Sequence, residues 1–168
     1  WPISVAELRE YAIWGGVPRY WELRRDYPDK ETAIRKVLLD PQEPLIEEPQ
    51  RLLRDDMRDT VQASTLLTII GNGANKLSEI ATRAGKDSST ISEPLEVADL
   101  GYVSREVPFG ESPKKSKKGI YHINDSLLRF HYQFIVPYRS ILELGRMDMV
   151  MQVVLAQLPQ FIGQCWEL

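Results

Sequence analysis

The sequence predicts a mainly α-helical protein: a helical segment, then a winged helix-turn-helix of three helices plus a β-hairpin wing, then C-terminal helices. Three observations carry this prediction. Apolar residues recur at spacings of three and four through most of the chain, with glycine or proline ending each run. The clearest period-2 alternation lies in "YVSREVP" and "GIYHIN". Those two stretches follow the third of three closely spaced helical segments, which is the order helix, helix, tight turn, helix, hairpin.

The first helix is expected in "SVAELREYAIW", with Ser4 as cap, Leu8, Tyr11 and Ala12 at helical spacing, and Gly15-Gly16 as stop. Pro18 suits the first turn of a second helix whose bulky face is Tyr20, Trp21 and Leu23. A third, "DKETAIRKVLLD", is capped by Asp29 or by Lys30-Glu31 and turns Ala33, Ile34, Val37 and Leu38 to one side. The three prolines of "PQEPLIEEPQ" form a linker that continuous helix does not cross, which sets a boundary and divides the chain into 1–45, 46–123 and 124–168.

Beyond the linker, an apolar pattern begins near Gln50 with Leu52, Leu53 and Met57 and continues through Val61, Leu66, Leu67 and Ile70 to "GNGANK". In "KLSEIATRAG", Leu77, Ile80, Ala81 and Ala84 make one stripe, closed by Gly85. The third helix of this group carries Ile91, Leu95 and Ala98 inward. Pro94 conflicts with its interior, where it costs about 3 kcal/mol, so Ser92 is expected to cap the rigid part with Ser88 to Ile91 as a looser lead-in. Past the hairpin, Asn124 or Asp125 caps a helix of Leu127, Leu128, Phe130, Phe134 and Ile135 that ends near Pro137. A last helix runs from about Asp148 to Leu158.

Composition narrows the function classes. With 168 residues and 43% hydrophobic content the chain has material for a substantial core. One cysteine, Cys165, makes no internal bridge, which predicts a reducing, cytoplasmic setting. No apolar run approaches the roughly 20 residues that span a bilayer, so no membrane role is expected. A net charge of −3 excludes a globally basic coat for nucleic acid and leaves only a local patch to bind it.

Such a patch exists in "SPKKSKKG". Lys114, Lys115, Lys117 and Lys118 at the tip of a hairpin would neutralise backbone phosphates, or else form a charged, solvated loop. Lys86, Ser88, Ser89 and Thr90 add short donors at the start of the third helix, the end that meets the duplex in a helix-turn-helix. Glu93, Glu96 and Asp99 on the same helix oppose sequence-specific readout. Other residues read as structural. His122 and His131 lack the companions of a zinc site, Cys165 lacks an activating base, and Phe130 to Tyr138 have the spacing of packed aromatics. No catalytic or metal-binding residue is predicted.

Four stretches, "WGGVPRYWEL", "EEPQRLLRDD", "KLSEIATRAGKDSSTISEPLEVADLGYVSREVP" and "IYHINDSLLRFHYQFIVPYR", give the chain a further resemblance. It resembles the C-terminal half of archaeal-type prokaryotic P-loop ATPases of the AAA+/STAND-like group that end in domain of unknown function 234. Gly15, Gly16, Val17 and Pro18 match that family's motif in the helical lid, and Tyr121, Ile123, Asp125, Leu127, Leu128 and Phe130 match its signature after the winged helix. Gly163, Trp166 and Glu167 resemble the opening of a nuclease-like domain.

The resemblance implies a lid end in 1–45 and a truncated nuclease-like start in 124–168, in a piece of a longer protein. The chain holds no G-x-x-x-x-G-K-[ST] phosphate loop, so ATP and magnesium are expected for the parent protein and no cofactor for this part. It implies no enzymatic activity here. The expected partners are duplex DNA, held weakly, the ATPase core and the nuclease-like domain. The alternative role is a protein-protein or interdomain contact module. Arg19 reads as a surface charge in this piece. Apolar surface is expected at both ends, around Trp14, Tyr20 and Trp21 and around Phe161 and Trp166, with a homodimer as its outcome.

Overall fold

A computed structural model describes residues 4–56, 59–97, 101–112, 116 and 118–166. The protein is mainly α-helical with one small two-stranded antiparallel hairpin among the described residues. It divides into two compact units, Trp1–Pro49 joined by Phe134–Leu168, and Gln50–Gln133.

In the first unit, α1 (Val5–Trp14) starts at a capping box in which Ser4 Oγ accepts from Glu7 N–H and the Glu7 carboxylate accepts from Ser4 N–H. Gly15, at φ 64°, ends it in a backbone region where side chains are strained. Helix α2 (Pro18–Arg25) follows. Asp29 caps α3 (Lys30–Ala33), which runs into one wide turn, Ile34–Leu38, closed by Leu39 N–H donating to Ile34 O at 3.0 Å. Ala33, Ile34, Val37 and Leu38 are buried, as their spacing predicts.

Trp14, Tyr20 and Phe161 are buried, which corrects the expectation that they are exposed. The cause is long-range packing. Phe161 lies in α10 (Met147–Gln164), its ring 5.6 Å from that of Phe134, and α1 packs against α10. Trp21 is half-buried, with its indole N–H donating to Gly15 O at 2.8 Å. Trp166 alone of the C-terminal pair is exposed, its ring 6.2 Å from that of Tyr11. Helix α10 also outruns the expected stop at Leu158, continuing through Pro159. A proline inside a helix costs about 3 kcal/mol, and burial of Leu158 and Phe161 on either side, at about 1.5–3 kcal/mol each, offsets it.

The proline-rich linker carries core residues. Pro44–Ile46 forms a short 3₁₀ turn in which Leu45 and Ile46 are buried, and α4 (Glu48–Asp56) begins within it because Pro49 sits in the first turn, where no amide is needed.

In the second unit the run from Gln50 to Ile70 is two helices, not one. Asp59 accepts from Gln62 N–H at 2.9 Å and starts α5 (Thr60–Gly71), which leaves Val61 exposed and buries Ala63, Leu66, Leu67 and Ile70. Met57 lies outside the described residues. Helix α6 (Leu77–Ala84) buries Ile80 and Ala81 and ends at Gly85, in the left-handed region. Helix α7 (Ser88–Val97) is continuous from Ser88. Ser92 is therefore no cap, and its hydroxyl donates to Ser89 O at 3.0 Å inside the helix. Ile91 and Leu95 are buried, while Ala98 lies outside the described residues.

Strands β1 (Val103–Glu106) and β2 (Ile120–Ile123) pair with Val103 opposite Ile123 and Glu106 opposite Ile120. Lys76 adds an isolated antiparallel bridge to Ile120, and Tyr121 N–H donates to Asn75 O at 2.7 Å, so the segment before α6 lies along the free edge of β2. Asp125 then caps α8 (Ser126–Phe130) by accepting from Leu128 N–H at 2.8 Å. The aromatic run is core: Phe130, Tyr132, Phe134 and Ile135 are buried. The chain passes through a wide turn and a 3₁₀ turn at Val136–Tyr138 to α9 (Arg139–Glu143), a separate helix beyond the expected stop at Pro137.

Candidate nucleic-acid interface

Five of the eight predicted contact residues, Lys86, Ser88, Ser89, Thr90 and Lys118, are described, on two surface features of the second unit. The first is the turn Gly85–Asp87 and the start of α7. Lys86 and Thr90 line a shallow depression of about 460 Å³ together with Thr82, Gly85 and Asp87. Lys86, Ser89 and Thr90 are exposed and Ser88 is half-buried. These four residues come together because Gly85, at φ 64°, reverses the chain and α7 begins three residues later. Among the described residues, Asp87 lies in the same depression, and Asp59 lines a second depression together with Lys86. Glu93 and Glu96 side chains and Asp99 lie outside the described residues.

The second feature is the loop from Glu106 to Ile120. Lys114, Lys115 and Lys117 lie outside the described residues. Lys118 is exposed, and its Nζ donates to Glu111 Oε1 at 2.9 Å. Glu111 also accepts from Ser116 Oγ at 2.5 Å. The Ser116 hydroxyl, then Lys118, hold the Glu111 carboxyl below its usual range, and Lys118 is raised in turn by that carboxylate. Among the described residues, no hydrogen bond or ion pair joins Lys118 to α7.

Sequence reasoning missed the internal bracing of this loop. Arg105 donates to Ser116 O, and its guanidinium stands 5.9 Å from the centre of the Tyr121 ring. Gly119 makes room for it, since a Cβ there would lie 2.3 Å from Arg105 Nε. At the far end, Glu111 N–H donates to Pro108 O at 3.0 Å and Gly110 has φ 85°, so Pro108–Glu111 is a closed turn. Phe109 stands at its second position, fully exposed. The opposed charges of Glu111 and Lys118, seven residues apart, were the one trace of the bracing in the sequence; the exposure of Phe109 had none.

His131 is fully buried, with its ring edge-on to Tyr132 at 5.1 Å. His122 lies 3.9 Å from Glu106, and burial lowers its basicity more than that carboxylate raises it. Cys165 is half-buried, with its thiol 3.3 Å from Phe161 O. Arg19 is exposed. Among the described residues no group of His, Cys, Asp or Glu is arranged to hold a metal ion, and no helix is long and apolar enough to cross a membrane.

No family model matches the chain, and no solved structure matches it. It is similar to an uncharacterised protein, MJECL04, of Methanocaldococcus jannaschii, with 28% identity over an alignment 184 positions long that takes in 99% of this chain and 40% of that protein. The chain thus spans well under half the length of this curated relative.

Proposed function

We propose that residues 46–123 form a winged helix-turn-helix that binds duplex DNA weakly and without strong sequence preference. In this reading the chain is a non-catalytic accessory part of a larger prokaryotic P-loop ATPase that works in the cytoplasm. One observation carries it: the order α5, bridged Lys76, α6, the turn Gly85–Asp87, α7 and hairpin, with Lys76 adding a third short strand position beside β2. In a winged helix-turn-helix the helix after the tight turn faces the duplex and the hairpin loop meets the backbone. Lys86, Ser88, Ser89 and Thr90 would then donate to phosphates from the start of α7, and Lys114, Lys115, Lys117 and Lys118 from the loop. ATP and magnesium belong to the nucleotide-binding core of the parent protein, and the isolated chain is expected to turn over neither ATP nor nucleic acid.

Fluorescence anisotropy against a mixed-sequence duplex tests this. The expected affinity is in the non-specific range, about 10⁻⁴ to 10⁻⁶ M at physiological salt. The four loop lysines contribute at most about −3.6 to the slope of log K against log salt, and replacing all four by alanine should flatten it. Ser89→Ala and Thr90→Ala should weaken all sequences by similar small factors.

The second reading, a protein-contact module between the ATPase core and its neighbour, draws on Glu111, which already occupies one of the four lysines. An unchanged affinity and salt slope in the quadruple alanine variant would favour it.

A further inference from the structure

We draw no further inference here: the strongest candidate, the fully exposed Phe109 in the closed turn Pro108–Glu111 of the hairpin loop, is an apolar surface that nothing in the structure shows to be covered by any particular partner, because the described charges of that loop, Arg105 and Lys118 against Glu106 and Glu111, balance one another.

Discussion

Glu111 holds Lys118 across the hairpin loop, its Oε1 accepting from Lys118 Nζ at 2.9 Å while its other oxygen accepts from Ser116. A lysine engaged in this way must release the carboxylate before it meets a phosphate. Glu111→Gln removes that competition and one negative charge from the loop. The variant should bind mixed duplex more tightly at low salt, with the slope of log K against log salt steeper by up to about 0.9. Anisotropy titrations at four salt concentrations would read it, and a shallower slope would show that Glu111 instead organises the lysines for binding.

Gly71 and Tyr132 approach too closely for any side chain between them. A Cβ on Gly71 would lie 2.8 Å from Tyr132 Cβ and 3.2 Å from its carbonyl carbon. Alanine normally favours a helix over glycine by about 1 kcal/mol, but overpacking costs about 1–3 kcal/mol, so the net effect of Gly71→Ala should be loss of stability. Urea unfolding followed by circular dichroism gives the sign directly; a raised midpoint would mean that Tyr132 yields.

Burial, and then its hydrogen bond to Asp56, push the Tyr102 phenol up to about 12 from an ordinary value near 10. A raised folded-state value means that the neutral phenol is favoured by folding. Its contribution is whole below pH 10 and is lost as pH climbs from about 10 to about 12. Burial also raises Tyr132, so the test is a difference measurement. Tyr102→Phe should remove one late-titrating phenol from the ultraviolet titration and make the unfolding midpoint fall less steeply over that range than in the parent.

Glu10 joins α1 to α2, accepting from Arg24 Nε and Nη2 at 2.7 and 2.6 Å and from Trp14 Nε1 at 3.0 Å. Arg24, held above its usual range chiefly by this carboxylate, is mostly shielded from water, and Trp14 is buried. Glu10→Ala strands both donors and should cost about 1–3 kcal/mol in chemical denaturation. Glu10→Gln, which keeps one acceptor oxygen, should cost less; equal losses would indicate that charge rather than acceptor geometry governs the site.

The sequence by itself determined the features whose partners lie within a few residues. Ser4, Asp29 and Asp125 cap helices through amides three positions on, Gly15 and Gly85 end them at positive φ, and alternation around Tyr121 marks the strands, because each depends only on local backbone chemistry. Stripes such as Ile80 and Ala81 were legible for the same reason: helical spacing is a property of the chain. Tertiary structure decided the rest. Trp14, Tyr20 and Phe161 are buried, and α10 runs through Pro159, because distant segments cover them and burial outweighs a local penalty. Of the candidate site, the turn at Lys86 was legible; the unbroken start of α7 at Ser88, the pairing of Lys118 with Glu111 and the exposure of Phe109 were not. Whether a charge is already engaged, or a ring left in water, depends on how the loop closes on itself, and periodicity along the chain carries no record of that closure.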